Sequence, residues 1–363
     1  MNKQYLKELE QLLQSGVDNG IYPGCNYAVV YNDEFYSNSL GYKALLPNKE
    51  LNNLDTLYDL ASLSKVISTT TCILRLMEMG KLRLFDSVKT YLSEFKYDDI
   101  TIWNLITHTA GFPPGVGGSN KATVEELKQR IYDLPLQYKK GEKIVYSDVG
   151  FMLLGFVIEK ITGKPLDKAA KELVFDPLDM TDTHYNRLPL AKDFDVTNYA
   201  PTEERNDEVY VGIQRGMVHD ERSFILEGCA GHAGVFSTVG DLVKFEQMIL
   251  NNGVHNGKKF LSPATLDLIF TPQVKETNGV CLTVNQRGIG WIVGGDWPSC
   301  GELASPETIH HTGFTGTSVF MDRINKVGFI LLTNRVHPTR QNTKIIPFRG
   351  RVGNFVVSHF GRR

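Results

Sequence analysis

The sequence predicts an α+β fold in which an antiparallel sheet, built from N- and C-terminal strands flanked by helices, packs beside a mainly helical lobe. Strand-like apolar segments occur near the start of the chain and after residue 285, whereas helical periodicity dominates between them. Strands and helices that segregate in this way are typical of α+β folds. We therefore expect one domain over residues 1–363. Residues 1–61 and 285–363 form its α/β lobe, residues 62–284 form its helical lobe, and the active site lies between the lobes.

The first segment is predicted to be a helix followed by a β-hairpin. Leucines recur at helical spacing within residues 1–19, and a Pro-Gly pair then interrupts the pattern. The two strands expected next are Cys25–Tyr31 and Glu34–Leu40, joined by a turn at Asn32-Asp33.

The middle of the chain is predicted to be mainly helical, with strands returning near the end. A helix is expected over about 62–79, with Gly80 as its C-terminal cap. Asp86, Thr101 and Thr123 are predicted N-caps. Further helices are expected at 146–162, 165–173, 238–251, 263–269 and 345–360, and a long irregular segment at 184–217. The expected C-terminal strands are Gly288–Val293, Thr308–Thr312, Thr317–Asp322 and Val327–Thr333.

Composition excludes several classes of function. The chain has 363 residues, a formal net charge of −2 and no block of basic residues, so a nucleic-acid partner is not expected. The first residues are too polar for a signal peptide and the longest apolar runs have strand length, so we expect no membrane span and a cytoplasmic location. Five widely spaced cysteines indicate neither a disulfide framework nor a CxxC metal site.

Ser62-Leu63-Ser64-Lys65 is the candidate nucleophile motif. A spacing of three places the serine and the lysine on one face of a helix, about one turn apart. A serine needs a nearby base to become a nucleophile, and the start of a helix offers backbone N–H groups to a developing oxyanion. A second S-x-x-K, Ser93 to Lys96, stands in a polar stretch and is interpreted as solvated surface.

Tyr146-Ser147-Asp148 is the second candidate motif, directly before an apolar helical run. A tyrosine at a helix start can relay a proton if it faces a cleft. The alternative is a capped helix start in which the tyrosine merely packs. A similar triplet, residues 36–38, falls in the second predicted strand and is therefore set aside.

The third candidate is the run from His311 to Phe314, with Thr312 and Gly313 between them, at the end of a strand. Glycine there allows a close backbone approach to a ligand, and the strand edge can bind an extended substrate. The adjacent His310 and His311 point to opposite faces of a strand and cannot chelate together. No H-E-x-x-H motif occurs, so neither a metal nor another cofactor is expected.

In this order, the three motifs resemble those of the serine β-lactamase and penicillin-binding-protein superfamily. The class C β-lactamase-like branch, which includes related esterases and D,D-peptidases, is the most similar. Its S-x-x-K, Y-x-N and K-T-G motifs are matched by the three segments above. The L-I-T-H-T-A-G of residues 105–111 and the G-H-A-G-V-F-S of residues 231–237 resemble further family segments.

The resemblance implies a serine hydrolase that cleaves an ester or amide through an acyl-enzyme. Ser62 would be the nucleophile, Lys65 and Tyr146 would transfer its proton, and the N–H groups of Ser62 and Phe314 would bind the oxyanion. The implied substrate-binding residues are Asp148, His311, Thr312, Gly313 and Phe314. His219, Asp220 and His232 are expected either to line the cleft or to serve as caps and packing groups, with neither alternative favoured.

Two positions depart from the family pattern. Asp148 replaces an asparagine and would either keep Lys65 charged, which weakens it as a base, or hold it in place. His311 replaces a lysine and is expected to be mostly neutral. These departures predict weak carboxylate binding and poor β-lactam turnover, which a nitrocefin assay would test. An esterase, a D-amino-acid peptidase or a muropeptide amidase acting on a small-molecule or peptidoglycan-derived substrate is expected. A non-hydrolytic or slowly deacylating penicillin-binding or sensor module on the same scaffold is the alternative.

Overall fold

The computed structural model describes residues 1–31, 34–277, 284–294 and 299–361. Its strands are β1 Gly24–Tyr31, β2 Glu34–Ala44, β3 Glu50–Leu51, β4 Tyr58–Asp59, β5 His184–Tyr185, β6 Glu204–Asn206, β7 Val211–Ile213, β8 Val235–Ser237, β9 Val254–His255, β10 Lys258–Lys259, β11 Val274–Thr277, β12 Val284–Arg287, β13 Ile292–Val293, β14 Thr308–Thr312, β15 Ser318–Asp322 and β16 Val327–Thr333. Its α-helices are α1 Lys3–Asp18, α2 Thr71–Glu78, α3 Ile102–Ile106, α4 Val124–Asp133, α5 Asp148–Thr162, α6 Leu166–Ala170, α7 Glu221–Ile225, α8 Val239–Leu250, α9 Pro263–Phe270 and α10 Ile345–Phe360.

Strands from both ends of the chain form one antiparallel sheet, which confirms the predicted α+β class. Its order is β11-β12-β13-β14-β15-β16-β1-β2-β3, and β1 pairs with β16 from Cys25 opposite Thr333 to Tyr31 opposite Val327. Alternate residues of β1 belong to different cores: Tyr27 packs with α1 and α10, whereas Ala28 packs with the helical lobe. This period of two is why β1 is apolar throughout.

Several local predictions need correction. The sheet begins at β11, earlier than the lobe boundary predicted at residue 285. The predicted strand 288–293 is shorter, because Gly288 N bonds Trp291 O in a turn between β12 and β13. Asp86 caps no helix; it accepts from Arg83 N and the Tyr91 hydroxyl, and Ser87 caps the short turn that follows. The turn predicted at residues 32–33 lies outside the described residues.

The helix predicted over 62–79 exists but is not regular. Ala61–Leu63 is a 3₁₀ turn and Lys65–Thr70 is π-helical, before α2 begins. Thr71 Oγ1 donates to Val66 O at 2.9 Å, a local bond that competes with the regular helical pattern. Irregular turns of this kind are frequent at functional sites. The capping predictions at Thr101 and Thr123 are confirmed, since both residues form capping boxes.

Candidate functional site

Ser62 follows a strained residue at the mouth of the cleft. Ala61 has φ +48°, which is uncommon for a residue with a Cβ and costs backbone energy. The buried Asp59 carboxylate holds this conformation by accepting from Ala61 N at 2.8 Å and from His219 N at 2.7 Å. Burial raises the pKa of Asp59, and these N–H donors oppose the rise. The loop therefore presents Ser62 in one fixed orientation.

Lys65 touches Ser62, as the S-x-x-K spacing predicts. Its side chain is fully buried, and Nζ donates to Ser62 Oγ at 2.9 Å and to His232 O at 3.0 Å. Nζ also lies 2.8 Å from Asp148 Oδ1. Two of these contacts are hydrogen bonds, and the third is an ion pair that balances the charge of the ammonium group.

Asp148 determines the charge of Lys65. Burial alone would lower the pKa of Lys65, but the Asp148 carboxylate and Tyr146 outweigh burial and raise it. The lysine is therefore a cation at neutral pH and donates to the nucleophile. Both effects considered for Asp148, charging the lysine and holding it in place, occur together.

Tyr146 stands at the end of the loop that leads into α5. Lys65 Nζ lies 5.0 Å from the centroid of its ring. The rings of His108 and His311 flank Tyr146, with centroids 4.8 and 6.1 Å from that of the tyrosine. The N-cap residue Ser147 makes no side-chain capping bond; its hydroxyl donates to Pro113 O instead. The structure thus places Tyr146 within the cluster that contains the S-x-x-K lysine.

The end of β14 forms the opposite wall of the cleft. A Cβ on Gly313 would lie 2.4 Å from Leu60 O, so only glycine permits this approach to the nucleophile loop. Thr315 Oγ1 donates to Asp59 O and Thr317 Oγ1 donates to Leu60 O, at 2.7 and 3.0 Å. These contacts fasten the turn after β14 to the segment that carries Ser62.

His108 and His311 have defined and complementary tautomers. His108 Nδ1 accepts from Ser147 N at 3.1 Å, so its proton is on Nε2. His311 Nδ1 lies 3.0 Å from Thr312 O, which can only accept, so its Nε2 carries a lone pair. Burial, together with nearby cations, lowers the pKa of both rings well below the usual value. The expectation of a neutral His311 agrees with this environment.

Arg287, which sequence reasoning missed, joins this cluster from the end of β12. Its guanidinium carbon lies 5.6 Å from the centroid of the Tyr146 ring. Nε and Nη1 are buried and have no hydrogen-bond partner among the described residues. Burial lowers the pKa of Arg287, and Tyr146 opposes this. Arg287 belongs to no sequence motif, and its neighbours in the fold become known only from the strand pairing.

The three residues left open by the sequence lie behind the nucleophile loop. Asp220 caps α7 and accepts from His232 Nε2 at 2.8 Å. His219 is buried, bonds Glu203 Oε2 through Nε2 and stacks on the Phe314 ring with centroids 5.6 Å apart. His232 reaches the site through its carbonyl, which binds Lys65. Capping and packing therefore account for the contacts that these side chains make.

The second S-x-x-K motif and the triplet at residues 36–38, both set aside in the sequence analysis, lie away from this site. Ser93 and Lys96 are exposed, and residues 36–38 belong to β2. Among the described residues, no three histidine, cysteine or acidic side chains converge as a metal site would require. No helix within that part of the chain is both long and apolar enough to cross a membrane.

The comparisons with known proteins agree with this architecture. The Beta-lactamase family model matches residues 9–353. A putative D-alanyl-D-alanine carboxypeptidase of Escherichia coli O157:H7 is 32% identical, over 99% of this chain and 89% of that protein. A similarly named protein of Salmonella agona is also 32% identical, over 95% of this chain and 86% of that protein.

Solved structures share the fold. A class C beta lactamase superposes with a TM-score of 0.74 at 20% identity, covering 98% of both chains. EstCE1, a hydrolase with promiscuous acyltransferase activity, has a TM-score of 0.74 at 21% identity, covering 96% of this chain and 98% of that one. The family match spans nearly the whole sequence. The chain therefore belongs to the β-lactamase family and is a serine hydrolase.

Proposed function

We propose that this protein is a carboxypeptidase-type hydrolase that forms its acyl-enzyme on Ser62 and releases an amine bearing a free carboxylate. A terminal D-amino acid of a peptidoglycan-derived peptide is such a leaving group. The observation that carries this proposal is Arg287, a half-buried cation beside Tyr146 whose Nε and Nη1 lack a partner among the described residues. The names of the curated relatives point to the same substrate class.

Acylation uses the contacts around Ser62. Its oxygen bonds to the substrate carbonyl carbon while the cationic Lys65 stabilises the negative charge that develops nearby. Tyr146 receives the serine proton as it passes its own phenolic proton to the leaving nitrogen, so the C–N bond breaks to give a neutral amine. Water then attacks the ester along the reverse path.

Two backbone N–H groups are proposed to hold the oxyanion. Those of Ser62 and Phe314 belong to segments fastened to each other through Thr315 and Thr317. Neither N–H donates to another described residue. Each such donor contributes roughly 3 kcal/mol to transition-state stabilisation.

Arg287 provides the charge that His311 lacks. The histidine replaces a family lysine and is neutral, which by itself predicts weak carboxylate binding. Arg287 lies close enough to His311 for its charge to lower the pKa of that ring. A carboxylate would pair with the half-buried guanidinium of Arg287, and Nε2–H of His108, which has no described partner, belongs to the same cluster.

A second candidate, a slowly deacylating penicillin-binding protein, is favoured by Asp148. Because Asp148 holds Lys65 as a cation, the lysine does not accept a proton from the deacylating water. On this account nitrocefin acylates Ser62 but turns over slowly. Rapid turnover, comparable to that of a dedicated β-lactamase, would contradict it.

The test compares a peptide ending in D-Ala-D-Ala with the same peptide amidated at its C-terminus. Arg287→Met should lower kcat/KM for the free acid roughly a hundredfold, because a charged hydrogen-bond partner is lost, and leave the amide nearly unchanged. Arg323→Met is the matched control, since this arginine pairs with Asp267 and packs on Phe270. Equal losses on both peptides would contradict carboxylate recognition, and activity in Ser62→Ala would contradict the acyl-enzyme.

A further inference from the structure

A buried arginine lies directly beneath the turn that follows β14. Arg349, from α10, is 8% exposed, and its Nη2 donates to Gly313 O at 3.2 Å and Thr317 O at 2.9 Å. No carboxylate pairs with it among the described residues. We infer that Arg349 is a positioning residue that polarises the Gly313–Phe314 peptide and thereby strengthens the oxyanion donor at Phe314. This inference rests on the function proposed above.

The geometry of one peptide unit connects the arginine to the cleft. The carbonyl of Gly313 and the N–H of Phe314 belong to the same peptide, and in a trans peptide these two groups point in opposite directions. Because the carbonyl faces the buried guanidinium, the N–H faces away from α10. On that side the turn meets the nucleophile loop, where Leu60 O lies against Gly313.

The charge of Arg349 gives its contact with Gly313 O an electrostatic effect in addition to its structural one. A cation at the carbonyl oxygen draws electron density from the amide and makes its N–H a stronger donor, as hydrogen bonds in series polarise one another. The effect is largest where water is excluded, and Arg349 is buried. The arginine also bonds both ends of the turn, because its two acceptors are Gly313 O and Thr317 O. Gly313 N donates to Thr317 O as well, which closes the turn.

The cost of this arrangement argues against a purely structural role. Burial, with Arg335 nearby, lowers the pKa of Arg349 to about 9, so the group remains a cation at neutral pH. A buried cation without a carboxylate destabilises a fold relative to an apolar side chain of similar size. Ionisable groups with strongly shifted pKa values cluster at functional sites.

Arg335 provides an internal control. Its Nε donates to Phe314 O at 2.8 Å, which is the carbonyl of the next peptide unit. It therefore holds the same turn and brings the same charge, but it polarises the N–H of Thr315 and not that of Phe314. A general loosening of the turn would follow from either arginine, whereas loss of the oxyanion donor follows only from Arg349.

The experiment measures acylation by p-nitrophenyl acetate and inhibition by phenylboronic acid, whose tetrahedral adduct places an oxygen where the oxyanion would lie. Arg349→Gln keeps a hydrogen-bond donor but removes the charge. It should slow the acylation burst about tenfold and weaken the boronic acid about as much, with KM unchanged. Arg349→Lys restores the charge and should stay within about threefold of the wild type. Arg335→Gln should leave boronic acid affinity unchanged.

Two results would overturn the inference. One is an Arg349→Gln protein that acylates at the wild-type rate. The other is equal loss in Arg349→Gln, Arg349→Lys and Arg335→Gln. If the wild type is not acylated at all, the proposed function fails together with the inference, whereas acylation insensitive to Arg349→Gln overturns the inference alone.

A measurement on the wild type covers the case in which Arg349→Gln does not fold. In protein labelled with ¹⁵N-phenylalanine, the Phe314 amide proton, assigned by its absence in Phe314→Leu, should resonate downfield of those of other exposed phenylalanines. Arg349→Lys should keep it downfield. An upfield position in the wild type would contradict polarisation of this peptide.

Discussion

The two sides of the proposed catalytic cluster differ in how their charges are balanced. On the nucleophile side, Lys65 Nζ donates to Ser62 Oγ and to His232 O, and it forms an ion pair at 2.8 Å with Asp148 Oδ1. On the tyrosine side, Arg287 has two buried nitrogens without a described partner, and the imidazole Nε2 atoms of His108 and His311 likewise have none. The charge of Lys65 is balanced within the protein by Asp148, whereas the described residues offer Arg287 no carboxylate, so an anion from outside could balance it. We attribute nucleophile positioning to the first and substrate recognition to the second.

The largest expected effect is on the residue between the two sides. Tyr146→Phe should lower kcat for peptide hydrolysis by about 10³-fold, because the proton relay to the leaving nitrogen is lost. The burst with an activated ester, whose leaving group needs no proton, should fall less. An unchanged kcat for the peptide would show that the proton takes another route.

Removing the ion pair between Asp148 and Lys65 should destabilise the fold. Asp148→Asn leaves the buried Lys65 without its carboxylate, and unfolding free energy at pH 7 should fall by about 2–4 kcal/mol, measured by urea denaturation.

Asp148→Asn should also change how the unfolding free energy depends on pH. In the wild type the pKa of Lys65 is raised, so its contribution to stability is complete below the unfolded pKa of about 10.4 and is lost as pH rises through the folded pKa. In Asp148→Asn burial dominates and the lysine pKa falls, so stability should rise with pH up to about 10.4. Parallel pH profiles for the two proteins would contradict the pairing.

Glu246 is a buried carboxyl group without a described partner that lies outside the candidate active site. This residue of α8 is 1% exposed, its two carboxyl oxygens have no described partner, and burial raises its pKa well above the usual value. Wild-type stability should therefore fall as pH rises above about 4.5, and Glu246→Met should remove that slope. The variant should gain about 1–2 kcal/mol at pH 7 without loss of activity. A destabilised variant would show that the carboxyl has a structural partner.

Arg287→Met should give a smaller stability change of opposite sign to Asp148→Asn. Because no described carboxylate pairs with this cation, its removal should raise unfolding free energy by about 1 kcal/mol while kcat/KM for the free-acid peptide falls about a hundredfold. Calorimetry of the ligand-free proteins checks this. Destabilisation would show that Arg287 is already paired, and the contrast between the two sides would fail.

Local spacing and motif order explain what the sequence could predict. The contact between Ser62 and Lys65 follows from helical spacing, and the long central strands follow from short apolar runs of strand length. The irregular helix after Ser62 could not be foreseen, because it depends on hydroxyl-to-backbone bonds such as that of Thr71.

The arginines were missed for a different reason. Neither Arg287 nor Arg349 belongs to a motif, and each gains its meaning from contacts made across the fold. The Tyr146 neighbour of Arg287 is 141 positions away in the sequence, and the Gly313 neighbour of Arg349 comes from another element of the lobe. Strand pairing and helix docking decide such contacts, and the sequence pattern specifies them only weakly.

The most direct test of the account is intact-protein mass spectrometry after incubation with a fluorophosphonate probe. The wild type should gain the mass of one adduct, and peptide mapping should place it on Ser62. Ser93→Ala, which changes the serine of the other S-x-x-K, should react like the wild type, whereas Ser62→Ala should gain no adduct. Labelling that survives Ser62→Ala, or that disappears in Ser93→Ala, would contradict the assignment of Ser62 as the nucleophile.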